Sequence, residues 1–95
     1  MDSDKIKAIV AQVKALTRGE EEPQSIMKAM VRDMGRSPVF AVAIIKRLQE
    51  EGIDLMQEET EQTEAFRAKF KPQMEKLGER ELTQSQKIIS KLFQN

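Results

Sequence analysis

Apolar residues recur at helical spacings through most of the chain, and nowhere at the strict alternation of a half-buried strand. Ile6, Ile9, Val10, Val13 and Leu16 form one stripe, which predicts a helix from Ser3 to Arg18. Asp2 or Ser3 can cap its start and Gly19 can end it. Ile26, Met27, Met30, Val31 and Met34 predict a second helix, opened by Pro23 and stopped by Gly35. The third element breaks the pattern. Pro38 to Leu48 reads PVFAVAIIKRL and is apolar almost without interruption, with Ser37 before it as a cap and Gly52 beyond its end. A helix that is apolar on every face has to be buried on every face. This segment is therefore expected to be the hub of the protein, or half of an interface with a second copy.

The second half is less regular. Asp54 is expected to cap a fourth helix that begins with Leu55 and Met56, yet the following run, QEETEQTE, carries no apolar stripe. Periodicity returns with Phe66, Phe70, Met74 and Leu77. Pro72 is expected to kink this helix near Phe70 or to split it, because a mid-helix proline loses a hydrogen bond and clashes with the preceding turn. Gly78 to Glu81 reads as a charged connector. A last helix is expected from near Thr83, with Ile88, Ile89, Leu92 and Phe93 as its apolar face. An isolated helix of about 12 residues is marginal in water, so this one needs a surface on its own core or on a partner. The expected fold is all-α: one domain over 1–95, a compact bundle of four to five short helices around a central apolar third helix.

Length changes this picture in one respect. A chain of 95 residues has limited area with which to cover a wholly apolar helix, which predicts a twofold partner and hence a homodimer. Composition mainly excludes. The 16 basic and 16 acidic residues cancel, against the basic balance of a general nucleic-acid coat. There is no cysteine and no histidine, so disulfides, thiolate chemistry, the usual zinc sites and the commonest general base are absent. The four glycines are isolated helix stops and form no phosphate-binding loop. No enzymatic activity and no cofactor are expected. The chain shows no charged-then-apolar leader pattern and no apolar run near the roughly 18 residues of a membrane span. A soluble, cytoplasmic protein without membrane contact is the expectation.

Three segments carry candidate chemistry. Ser25 to Gly52, SIMKAMVRDMGRSPVFAVAIIKRLQEEG, resembles the DNA-reading half of a winged-helix domain through its short Gly-Arg-Ser-Pro turn and KRLQEEG ending. The resemblance covers under a third of the chain and implies a recognition helix starting at Pro38. Such a helix presents polar side chains to base edges, whereas Val39, Phe40, Ala41, Val42 and Ala43 present none, which favours packing over reading. The second candidate is basic: Arg67, Lys69, Lys71, Lys76 and Arg80, opposed by Glu75 and Glu79, carry a net +3 suited to phosphate contacts. Arg32, Arg36, Lys46 and Arg47 could add a second patch. The third is acidic: Asp54, Glu58, Glu59, Glu61 and Glu64 give −5 without calcium-loop spacing. They read as a solvated face on which Glu58, Glu61 and Glu64 could share one side; the alternative is that they complement the basic segment of another copy in antiparallel self-association.

These readings converge on a small non-enzymatic regulatory or adaptor protein that binds another protein. Met27, Met30 and Met34 would line an adaptable groove, and Ile88, Ile89, Leu92 and Phe93 would form a second apolar contact. The alternative is a nucleic-acid-binding accessory protein using Arg67, Lys69, Lys71, Lys76 and Arg80.

Overall fold

The computed structural model describes residues 3–94. Five helices follow one another: α1 (Ser3–Thr17), α2 (Pro23–Asp33), α3 (Pro38–Glu50), α4 (Glu61–Met74) and α5 (Glu79–Gln94). No strand occurs among the described residues, and no described helix is long and apolar enough to cross a membrane. The cap expected from Asp2 or the Ser3 side chain lies outside the described residues.

α1 and α3 end where turn chemistry requires. Gly19 and Gly52 adopt φ of +77° and +87°. Each closes a pair of backbone bonds over the last helical turn, Glu20 to Ala15 and Gly19 to Leu16 in one case, Ile53 to Leu48 and Gly52 to Gln49 in the other. This left-handed closure satisfies carbonyls that a helix end would leave orphaned. It also turns Ile53 back onto the core.

α3 is the hub. Phe40, Ala41, Val42, Ala43, Ile44, Ile45 and Leu48 are all buried, and Lys46, Gln49 and Glu50 form its narrow exposed edge. The helix packs chiefly on α5 and also on α4, while α2 packs on α4 and α1, and α1 closes against α5. One chain is therefore enough to cover the apolar helix. The shortage of covering surface that predicted a twofold partner does not exist, because α5 and α4 supply it. The recognition-helix positions Phe40 to Ala43 lie inside the core, where no DNA groove can reach them.

The fourth helix starts later than its sequence predicts. Residues 51–60 are a loop, and α4 begins at Glu61. Asp54 caps no helix; its Oδ1 accepts the Met56 N–H at 2.9 Å and so holds a turn. The cap is Thr60, whose Oγ1 accepts the Thr63 N–H, while Thr63 Oγ1 accepts the Thr60 N–H at 2.8 Å. Pro72 neither splits the helix nor stops it at once. It sits in the last turn, and α4 ends two residues later at Met74. Inside α4, Phe66 and Phe70 pack as a tilted pair, 4.6 Å between ring centroids, and anchor the helix in the core. The last helix starts at Glu79, four residues before Thr83, with Glu79 and Glu81 favourably placed in its first turn.

The C-terminal helix docks on its own chain. Ile89 and Ser85 are buried, and Leu92 and Phe93 pack partly buried against the core. Arg47 of α3 locks the joint. Its Nη1 donates to Ser90 Oγ at 3.3 Å, its Nε pairs with Glu51, and its guanidinium lies 5.4 Å from the centre of the Phe93 ring.

Candidate functional site

The predicted partner surface is mostly interior. Met27, Met30 and Met34 are at most 1% exposed. Each lies on the face of α2 that meets the bundle, so they fill the core instead of lining a groove. Ile89 is fully buried as well, and of the second apolar set only Ile88, 47% exposed, stands out into solvent.

The predicted basic patch is divided among three tasks. Arg67 pairs with Glu59, and its Nη2 donates to the Met56 carbonyl at 3.2 Å, which ties the acidic loop to its own helix. Part of the charge complementarity expected between copies is thus met within the chain. Lys69 reaches across to α2 and donates to the Val31 carbonyl at 3.1 Å, serving the negative end of that helix. Of the five, only Lys71, Lys76 and Arg80 remain exposed with no side-chain hydrogen bond or ion pair among the described residues, and they follow the end of α4 into the start of α5. The acidic segment is divided too. Glu58 and Glu59 stand in the loop, and Glu61 and Glu64 in the first turn of α4. Among the described residues no cluster of three or more carboxylates that could hold a metal ion forms.

A different site emerges at the turn between α2 and α3. An open cleft of about 1010 Å³ runs between the start of α1, the end of α2, the start of α3 and the side chain of Lys69. The core side chains Ile6, Met34 and Phe40 lie beneath its floor and show it little surface, and the half-buried Pro38 and Val39 supply its open apolar side. Lys5, Arg32, Arg36 and Lys69 stand around it, against the single carboxylate of Asp33, a net of +3.

Local folding explains the concentration of charge. α2 ends at Asp33, so Arg32 in its last turn faces the negative end of the helix dipole. The tight turn, closed by the Ser37 N–H on the Met34 carbonyl at 2.9 Å, then brings Arg36 back beside it. Lys69 passes close over Gly35, where a Cβ would stand 2.8 Å from its Nζ and the flexible end of the lysine would have to shift. α3 opens toward the same space. Its N-cap Ser37 makes no side-chain capping bond, so the positive end of α3 is not covered by its own cap and adds to the field of the four cations.

The one carboxylate of the cleft is committed to a neighbouring cation. Arg32 holds Asp33 through two bonds of 2.9 Å, Nε to Oδ1 and Nη2 to Oδ2. The hydrogen bond from Arg32 holds the Asp33 carboxyl below the usual aspartate range, and keeps Arg32 itself protonated. A carboxylate so stabilised is a poor proton acceptor, and no base stands by the Ser37 hydroxyl among the hydrogen bonds of the described residues. Arg36 has no partner among them and is the cation most ready to meet an incoming anion.

Sequence reasoning placed Arg32 and Arg36 together through the helical hairpin, but grouped them with Lys46 and Arg47. The structure sends Arg47 to α5 and leaves Lys46 on the outer edge of α3. Lys5 was not singled out, because its contribution depends on α1 lying beside the turn. No protein-family model matches the chain, no curated protein matches it in sequence and no solved structure matches it.

Proposed function

We propose that this protein is a small non-enzymatic interaction module whose basic cleft receives an acidic segment of a partner protein. One observation carries the reading: four cations against one acid gather beside half-buried apolar side chains, in a chain whose total charge is zero. Charge of one sign focused in a concave surface raises the local concentration of the opposite charge and speeds encounter. The half-buried Pro38 and Val39 add what a bare phosphate backbone would not use, a place for apolar side chains set among acidic ones. A segment alternating Asp or Glu with Leu or Phe matches both features.

Nucleic acid is the second reading, supported by the exposed, unpaired Lys71, Lys76 and Arg80. These lie outside the cleft lining, and the protein's acidic loops would repel a long phosphate chain. Fluorescence anisotropy separates the two. A labelled acidic-apolar peptide should bind saturably at low salt, and Arg32→Glu with Arg36→Glu should weaken it at least about tenfold, as two reversed contacts of about 1 kcal/mol each imply. An oligonucleotide that binds more tightly than the peptide, with a loss on Lys71→Glu and Arg80→Glu, would replace this reading with the second.

A further inference from the structure

The cleft has a counterpart on the same molecule. Thr60 Oγ1 donates to Gln24 Oε1 at 2.9 Å, which sets the start of α4 beside the start of α2. Lys69 meets Val31 near the other end of both helices. α2 and α4 therefore run side by side in the same direction, and their N-termini share one end of the bundle. That end holds Glu20, Glu21 and Glu22 from the α1–α2 loop and Glu58, Glu59 and Glu61 from the loop and start of α4. With Glu64 of the same first turn they make seven carboxylates, against Lys14 in the last turn of α1, Arg18, paired with Glu20, and Arg67, paired with Glu59, a net −4.

The chain of zero net charge is thus polarised. The acidic pole lies at the N-terminus of α2 and the cleft, net +3, at its C-terminus. The 11 residues of α2 span about 16 Å. Negative charge at paired helix N-termini and positive charge at a helix C-terminus are each favoured within the fold, so this polarity is consistent with its stability. With no net charge, copies do not repel one another as wholes, and their complementary ends attract.

We infer that the acidic pole of one copy occupies the basic cleft of another. The inference rests on the reading of the cleft as a receptor for acidic segments, and it names a second copy of this chain as an occupant. It makes self-association and capture of a foreign acidic segment mutually exclusive, so free protein at high concentration holds its own cleft closed. This contact differs from the twofold apolar interface expected from α3, since that helix is already covered. A twofold pair makes the contact twice and stops at a dimer, whereas end-to-end addition makes it once and grows.

Sedimentation velocity on the full chain tests this at 20 mM and 300 mM salt, with a cleft variant (Arg32→Glu, Arg36→Glu) and a pole variant (Glu20→Lys, Glu22→Lys). The unmodified protein should associate at 20 mM salt and sediment as a monomer at 300 mM. Each variant alone should remain monomeric at 20 mM salt, and a 1:1 mixture should associate, because the intact pole of the cleft variant then meets the intact cleft of the pole variant. If circular dichroism shows the pole variant unfolded, Glu20→Gln with Glu22→Gln replaces it and should weaken association at least about threefold. A monomer at 20 mM salt and high micromolar concentration overturns the inference. So does association that persists at 300 mM salt, or a variant mixture that stays monomeric. The acidic peptide separates this failure from that of the underlying reading. If it binds a protein that never self-associates, only the second copy is wrong as occupant. If it fails to bind the cleft of the monomer, the receptor reading fails.

Discussion

The Thr63 hydroxyl is the most informative single group to remove. Thr63 is 0% exposed and carries three contacts: it accepts from the Thr60 N–H at 2.8 Å, and its one proton lies between the Glu58 carbonyl at 2.9 Å and the Thr60 carbonyl at 3.0 Å. Thr63→Val keeps the volume and deletes the hydroxyl. The Thr60 N–H loses its acceptor in a partly buried place, at a cost of about 1–3 kcal/mol, and the Glu58 carbonyl loses a donor worth about 1 kcal/mol. Water reaches part of the exposed loop and recovers some of this, so the expected loss is about 2 kcal/mol. For a domain of this size that lowers Tm by roughly 8–16 °C. Thr63→Ser keeps the hydroxyl and removes one methyl, and should cost only about 1 kcal/mol. Urea denaturation followed by circular dichroism measures both, provided the slope with denaturant is unchanged. If Thr63→Val unfolds within about 0.5 kcal/mol of the parent, the hydroxyl does not hold the 51–60 loop onto α4, and the acidic pole is not built as described.

Three further outcomes follow from the same structure. Ile44→Ala, at a fully buried position of α3, should destabilise by about 2–5 kcal/mol in thermal or urea unfolding, and a loss under 1 kcal/mol would deny α3 its place as the hub. Deleting Ile88 onward removes Ile89, the Arg47–Ser90 bond and the Phe93 contact, so it should lower Tm; an unchanged Tm would show that α5 does not dock on α3. In a carbon-detected NMR titration, Asp33 should titrate below the ordinary aspartate range, and Arg32→Gln should return it toward that range. Because the folded value is depressed, its small stabilisation is complete above the ordinary aspartate pKa and disappears as pH falls through the depressed one; an Asp33 titration unmoved by Arg32→Gln would remove the pair from the cleft.

How much of this was legible in the sequence depended on how local the controlling physics is. α1, α2 and α3 were legible to within a residue or two, since Gly19, Pro23, Pro38 and Gly52 punctuate clear apolar periodicity. The burial of Phe40, Ile44, Ile45 and Leu48 followed from α3 being apolar all round. The start of α4 was not legible. QEETEQTE has residues that suit a helix, and the reciprocal cap uses Thr at both positions in place of the more recognisable Ser or Thr with Glu or Gln. Met27, Met30 and Met34 were placed on the correct face of α2, but periodicity does not say whether a face meets the core or a partner. The cleft was the least legible feature. Lys5, Arg32, Arg36 and Lys69 come from α1, α2, the turn and α4, and only tertiary packing brings them to one place. The basic run from Arg67 to Arg80 looked stronger because it is contiguous, yet the fold uses Arg67 and Lys69 against its own backbone and acids.

Nitrogen-15 correlation spectra of the protein titrated with an acidic-apolar peptide test the central claim most directly. At low salt the shifts should concentrate at Lys5, Ile6, Arg32 to Phe40 and Lys69, fade at 0.5 M salt, and be absent in the Arg32→Glu, Arg36→Glu variant with the rest of its spectrum intact. Shifts confined to Lys71, Lys76, Arg80 and α5, or no shifts at millimolar peptide, would show that the basic cleft is not where this protein meets its partner.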